Sequence, residues 1–551
     1  MSLSGKPSPN RVLARARGGS AAVAVLVLLV VLQLVVLGVA WGGARDQGAS
    51  VDRVDAARAY YATEGVANMA MREVFNNADE DGDGGVGTIS NDSVPGTDPA
   101  VSLGQASCAS SVSGGTTTYT VNGRSGGAIK RIQFAASTGA NPKVVFADSV
   151  NQHKYVTGKS GTTWTTPAVA DSHTDVTRWV VLRDCPTRSE FAMGGLDTSS
   201  GLRVAFWSGG SFGAATTVTT NTGTNATRAF DLSYEQASGD LLAACWDAAS
   251  NAVHFRTASG STLSPQSTLT LPSTAQVNWI SLVPKPASDE VMLLALNSGN
   301  VLYACVWSGS AWGSVTTITS GAASASYECF AGAYERVSGR FLLVYGESTN
   351  AYATYRTYTG AGGWSGTAST PTIGSNGIYW VRLAPRPGTD EVLMGTMDNP
   401  GNAHGAHWSG SAWGGVVSTG THLWAGARSM DVVYDAAGGI GMFAYDIGDT
   451  YLRYRTWTGS AFSAQLTGPD VVEWLLFIQL RPAPTGGRIH GLVTGYSNGL
   501  YLFEWDGAAF GASAQVSTNL QGGYASWEAA MVGVPAAGSA SVQTWRTPAP
   551  Q

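Results

Sequence analysis

Trp307-Ser308-Gly309-Ser310-Ala311-Trp312 lies near the middle of the chain, and most of the sequence consists of copies of its surroundings. Two aromatics flank a Ser/Gly turn, the pattern of a hairpin tip whose end residues face each other across two strands. The figure returns as Trp207…Phe212, Trp408…Trp413 and Trp505…Phe510. A sister version puts Arg-Thr before the first aromatic position, as in Arg356-Thr357-Tyr358…Trp364 and Arg455-Thr456-Trp457…Phe462. Arg256-Thr257…Leu263 is a weaker copy and Thr157…Trp164 a degenerate one. The closing residues fall at 164, 212, 263, 312, 364, 413, 462 and 510, steps of 48 to 52 residues, so the chain carries an eight-copy array.

Each copy reads as four short strands. In the fourth, Val277–Leu282, Glu290–Leu296, Val301–Trp307 and Gly313–Ile318 are runs of alternating or continuous apolar residues between Pro/Ala/Ser/Asp, Asn/Gly and aromatic turns. About 49 residues per four-stranded antiparallel unit is the size of a blade, so the fold class is mainly β. A propeller of about eight blades is expected over residues 128–551. A second period near 100 residues is superimposed. Trp179, Trp279, Trp380 and Trp474 are expected to start strand 1 in even copies. Tyr234, Tyr334 and Tyr434 end it in odd copies, followed by Glu235, Glu335 and Asp435. Duplication of a two-blade unit explains this and favours an even blade number. Trp527–Val534 is left over at the C-terminus and is expected to close the ring on the first blade, which would otherwise carry an open edge.

The composition fits this reading. Charged residues are 13% of the chain and Gly numbers 70, which suits short strands and tight turns with a Ser/Thr surface. A net charge of -6 without a basic patch points away from nucleic acid. Cys108, Cys185, Cys245, Cys305 and Cys329 show no metal or redox spacing and read as small buried hydrophobes.

The N-terminus is organised differently. Residues 1–19 form a basic leader with Lys6, Arg11, Arg15 and Arg17, and residues 18–44 hold no charge at all. A run of that length spans a bilayer as one helix, and the basic flank places the remainder outside the cytoplasm. The expectation is a single-pass inner-membrane protein. Helix-like sequence then continues through residues 20–75.

Arg17-Gly18-Gly19-Ser20-Ala21 before an apolar helix, then Ala59-Tyr60-Tyr61-Ala62-Thr63-Glu64-Gly65 and Asn68, resembles the N-terminal module of PilX-type minor pilins of type IV pili and pseudopili. The resemblance covers about residues 11–75. It implies leader cleavage at Gly18 or Gly19, display at a pilus tip or cell surface, and other pilins or assembly proteins as partners. Most pilins carry Glu at the fifth mature position, where this chain has Val23 or Ala24, a departure shared by some tip-initiating subunits. A plain single-pass anchor stays open beside it.

Residues 76–127 read as an acidic loop and a Gly/Ser/Thr-rich connector with room for a small pilin-type hairpin. Asp79, Asp81 and Asp83, with Gly84 next, match the first half of an EF-hand-like loop after a helix. Ser90 stands where the bidentate Glu belongs, so Ca²⁺ would bind weakly if the segment is more than an acidic turn.

No catalytic constellation emerges. The seven histidines are scattered, and Gly495-Tyr496-Ser497-Asn498-Gly499 fits a hydrolase elbow only in letters, because it lies at a hairpin tip. Thr157…Trp164 resembles a sialidase-type Asp-box with Lys159 in place of the acid, which speaks for topology and not for activity. Arg256, Arg356 and Arg455 recur at equivalent places and read as structural. The strand 2–3 tips are rich in acids and amides, and Asp197, Asp247, Asn297, Glu347, Asp398 and Asp446 are the candidate ligand-binding residues, with turn propensity the competing explanation. The aromatic pairs are expected to hold strand 3 to strand 4. The function that follows is a non-enzymatic surface or pilus-tip adhesin whose propeller binds a glycan or protein. A membrane-anchored propeller with a structural or assembly role and a degenerate glycosidase-like enzyme are the alternatives.

Overall fold

The computed structural model describes residues 18–532 except 77–80, 82, 84, 86, 91–104, 114–115, 137–141, 161–162, 172, 189, 209, 422–424, 484–486 and 521–528. Asp79, most of the leader and half of Trp527–Val534 therefore lie outside it.

A single helix, α1 (Gly18–Asn76), runs without interruption through both halves of the N-terminal segment. Its first half is apolar all round and bare: Val25 through Val39 and Trp41 present large exposed side chains. By length and composition this stretch suffices to cross a membrane. The second half is amphipathic. Ala59, Ala62, Val66, Ala67 and Ala70 are buried against a three-stranded antiparallel sheet, β1 (Gln105–Ser113), β2 (Thr116–Ser125) and β3 (Ala128–Ala136). Small residues on the helix let the sheet approach closely. A Cβ on Gly123 would lie 2.0 Å from Thr63 Oγ1, so only glycine fits where β2 crosses the helix. Tyr119 and Phe134 stack at 5.0 Å within this core. The connector expected up to residue 127 thus contributes two strands to a sheet, and residues 128–136 belong to that sheet and not to the repeats. A strong hairpin turn at Gly126, with φ of 52°, carries the chain from β2 into β3.

The repeats begin with β4 (Lys143–Ala147) and form eight antiparallel sheets with strands in the order 1-2-3-4. Blades 2 to 8 run over Thr177–Thr219, Phe230–Leu269, Val277–Thr319, Phe330–Ser369, Ile378–Thr421, Met430–Asp470 and Leu475–Ser517. Blade 1 is composite. Its inner strand is Ala529–Val532 from the C-terminus, paired antiparallel with β4 through Ala529↔Phe146 and Val532↔Lys143. The inner strands touch in succession round the ring and back to the start. The eight-bladed, closed propeller expected from the periods is the observed fold. Strand 2 of most blades is buried along its whole length, as in Val291–Asn297, because neighbouring blades cover both of its faces. That is why these runs read as continuously apolar. All five cysteines are buried and unpaired.

The hairpin tips form as the sequence indicates. Trp307 and Trp312 bridge with ring centroids 5.2 Å apart, and Trp408–Trp413, Trp207–Phe212 and Trp457–Phe462 repeat the contact at 5.3, 5.3 and 5.1 Å. One equivalence shifts. Trp179↔Leu196, Trp279↔Leu296 and Trp380↔Met397 are matched in blade 8 by Phe477↔Thr494, with the same bulge before each. Trp474 therefore lies ahead of strand 1, in the loop, and is exposed.

Candidate functional site

Antiparallel 1-2-3-4 order puts the 2–3 tips and the 4–1 loops on one face of the ring, and the 1–2 turns and aromatic 3–4 turns on the other. The six candidate tip residues all lie on the first face, but their side chains turn into the blades. Asp197, Asp247, Asn297, Asp398 and Asp446 are buried and Glu347 is half-buried. Asp197 Oδ1 accepts from the amides of Ser199 and Gly201, both at 2.8 Å, and Asn297 Oδ1 from those of Gly299 and Val301. Asp446 Oδ1 accepts from the Gly448 amide. Glu347 takes the hydroxyls of Thr319 and Thr354. Asp398 accepts from the Asn402 and Ser375 amides and lies 3.4 Å from His404 Nε2. Burial raises the Asp398 carboxyl, but its histidine and amide donors outweigh that and hold it at about 2. These carboxylates fix the shape of the tips, as Asx turns do.

Asp247 belongs to a Ser250–His254–Asp247 trio. Ser250 Oγ is 2.7 Å from His254 Nε2, but His254 Nδ1 is 3.7 Å from Asp247 Oδ2. That second gap exceeds hydrogen-bond reach, and a serine–histidine–aspartate relay depends on it. The carboxylate is spent on Thr219 and Ser250 instead.

Blade 8 breaks the tip pattern. Gly495 takes the place of the acid, and Glu473 from the preceding loop accepts from the Ser497 amide in its stead. Trp474 and Tyr496 stand on this face with 48% and 46% of their surfaces exposed, edge to face at 5.5 Å. Close by in the ring, a cavity of about 320 Å³ opens at the seam between blades 8 and 1, with Tyr155, Gln515 and Asn519 in its wall.

The channel is closed under the tips. Trp179, Trp279 and Trp380 converge from even blades and meet edge to face, with centroids 5.4 and 5.7 Å apart. Each indole donates to a loop carbonyl of the next blade, those of Asn225, Ala325 and Ala425. Below this plug odd and even blades both supply charge. Arg228 Nη2 donates to Glu328 at 2.5 Å and Nη1 lies 3.4 Å from Asp231. Arg183 Nη2 donates to Asp231 at 2.8 Å. Asp431 faces Arg382 Nε at 3.2 Å, Arg428 Nη1 at 3.2 Å and Arg481 Nη1 at 4.0 Å. Burial pushes Asp431 up, but these guanidiniums and the Leu480 amide prevail and hold it below the ordinary aspartate value. Burial also draws Arg428 down to about 9 and Arg481 to about 10, and both remain cations at neutral pH.

The other mouth of the channel, on the turn face, is open. A cavity of about 400 Å³ lies there, with Arg183, Arg336, Arg382 and Arg481 in its wall. The recurrent Arg256, Arg356 and Arg455 are not part of this wall. Arg356 and Arg455 donate to the Ser365 and Ser463 carbonyls of their own 3–4 turns, and among the described residues no acid pairs with them. A signal for the channel was present: Arg228, Glu328, Arg428 and Glu528 recur every 100 residues with alternating charge. Glu528 lies outside the described residues.

In the acidic loop, Asp81 Oδ1 and Oδ2 accept from the amides of Asp83 and Ser90, and Asp83 Oδ1 accepts from Gly85 and Thr88. The buried carboxylate of Glu73, on α1, takes the amides of Asp81 and Gly87 and so ties the loop to the helix.

No protein-family model matches the chain, and no curated protein sequence does. Solved structures align with it in part and remotely. The BP39L lectin from Burkholderia pseudomallei is 13% identical with a TM-score of 0.44, over 62% of this chain and 100% of its own. A lectin from Aleuria aurantia, a six-bladed β-propeller with fucose recognition, is 14% identical with a TM-score of 0.34, over 62% and 96%. The dihydro-heme d1 dehydrogenase NirN is 10% identical with a TM-score of 0.46, over 69% and 74%.

Proposed function

We propose that the propeller is a carbohydrate-binding head, and that the chain is a surface or pilus-tip adhesin displaying it on a pilin-like stem. The observation that carries the binding reading is the exposed Trp474–Tyr496 pair on the tip face. The tips of blades 2 to 7 turn an acid or amide inward to shape themselves, whereas blade 8 presents Tyr496 at its tip and Trp474 in the loop before it to solvent. Tryptophan and tyrosine offer an apolar ring to a sugar face and a polar edge to its hydroxyls. The display reading is supported by α1, whose bare apolar half continues without a break into a half packed on a small sheet.

Glycan-array binding by the full chain in detergent micelles tests the head. Trp474→Ala and Tyr496→Ala are expected to abolish the strongest signals while leaving circular dichroism unchanged. Unaltered binding by both variants overturns the site. Mass spectrometry from a host that processes prepilins tests the stem, since a pilin-like subunit would start at Gly19 or Ser20. An intact leader leaves a plain anchor.

A further inference from the structure

We infer that the arginine-lined mouth of the channel, on the face opposite the aromatic tip, is a second binding site, which takes the carboxylate of an acidic sugar such as a hexuronic acid.

The donors carry the argument. Arg382 spends only Nε, on Asp431, and Arg481 only Nη1, on the Leu480 carbonyl and at 4.0 Å on Asp431. Among the described residues, Arg382 Nη1 and Nη2 and Arg481 Nε and Nη2 donate to no protein atom. Both side chains keep about a quarter of their surface, 26% and 25%, and that surface lines the cavity. A guanidinium with its paired Nη donors unspent matches the two oxygens of a carboxylate, and does so better in a recess than in open water. Asp431 beneath them is itself 1% exposed and held in place by the Leu480 amide, so it anchors the arginines and leaves their outer edges for a ligand.

The remaining walls set the size and character of the occupant. Ser281 and Gln236 bring a hydroxyl and an amide, Phe330 and Leu383 bring apolar surface, and Glu328, the acid in the wall, has its Oε1 bonded to Arg228. A volume of about 400 Å³ suits one sugar ring and its substituents, at the small end of ligand pockets. The tryptophan plug closes the far end, so a ligand enters and leaves by the turn face alone.

Calorimetry on the full chain in micelles, with D-glucuronate, D-galacturonate, D-glucose and acetate as probes, decides the matter. A uronate is expected to bind at least tenfold more tightly than glucose and than acetate. Arg382→Gln and Arg481→Gln should each weaken it at least tenfold. Arg481→Gln leaves Asp431 paired with Arg382 and Arg428, and Arg336→Gln, at an exposed position on the rim, provides a variant that keeps the ring intact. Equal affinity for glucuronate and glucose overturns the inference, as does acetate binding as tightly as a uronate, or uronate affinity unchanged in the arginine variants. Trp474→Ala separates this site from the tip-face reading. Uronate binding that survives Trp474→Ala supports the channel site whatever the glycan array shows, and uronate binding lost with Trp474→Ala overturns it.

Discussion

Trp307 Nε1 donates to Glu235 Oε1 at 2.7 Å, joining the aromatic turn of blade 4 to the end of strand 1 in blade 3. Trp408 makes the same bond to Glu335 at 2.7 Å, one two-blade unit further on. The aromatic pair thus works in two directions, holding strand 3 to the strand 4 side of its own blade and locking that blade to its neighbour. Trp307→Phe keeps the ring contact but removes the donor from a buried carboxylate. The expected cost is roughly 1–3 kcal/mol, read as a lower midpoint in thermal unfolding, with tip-face binding unchanged on the folded fraction.

The third copy of this bond is missing. Asp435 stands where Glu235 and Glu335 do, one methylene shorter, and the Trp505 indole nitrogen is buried without an acceptor. Asp435→Glu is expected to restore the bond and stabilise the chain by about 1 kcal/mol. Differential scanning calorimetry showing no gain, or a loss, would mean that the longer side chain does not reach.

Acid should loosen the ring in a defined window. Asp398 and Glu504 are both held at about 2 in the folded chain, from ordinary values of 3.8 and 4.5. Burial raises each, but for Glu504 the His490 and Lys159 partners overcome it, as His404 and amide donors do for Asp398. A depressed folded value stabilises above the unfolded one, so the contribution is whole above about pH 5 and drains away towards pH 2. Glu504→Gln and Asp398→Asn should lower the melting temperature at pH 7, and the deficit should shrink as pH falls from 5 to 2. A constant deficit would show that the charges contribute nothing to it.

Calcium at Asp79, Asp81 and Asp83 stands as a proposal with a direct test. Titration of the full chain with CaCl₂ is expected to give weak binding, roughly 10⁻⁴–10⁻³ M, lost in Asp81→Ala. Equal heats from both proteins would leave the segment a hydrogen-bonded turn on Glu73.

Removing residues 522–551 deletes the inner strand of blade 1 and bares the edge of β4. Exposed edges recruit other strands, so the truncated chain is expected to elute as oligomers in size-exclusion chromatography and to melt earlier. A monomeric, equally stable product would show the closing strand to be dispensable.

The repeats were legible because strand order, turn chemistry and aromatic spacing are local, and Trp307…Trp312 states all three within six residues. The ring closure was legible for the same reason, as an unmatched strand-1 piece. What the pattern hid is what depends on register and on distant blades. Trp474 and Phe477 are three residues apart, yet one is on the surface and the other packs in the core. The buried tip acids look from sequence like an invitation to a ligand, since an Asx turn and a ligand-facing carboxylate use the same residue. The channel arginines come from blades 2, 6 and 8, and only the closed ring brings Arg183, Arg382 and Arg481 to one mouth.

The repeats begin at β4, which is paired on one side with Ala529–Val532 and on the other with Lys154–Ser160. A pull directed along β4 while the rest of the head is held would reach it at Lys143. The bonds on both of its flanks then bear the load together in shear, instead of parting one after another as in an unzipped hairpin. Under such a load the C-terminal strand would act as a mechanical clasp, and β4 would leave the head only by breaking both flanks.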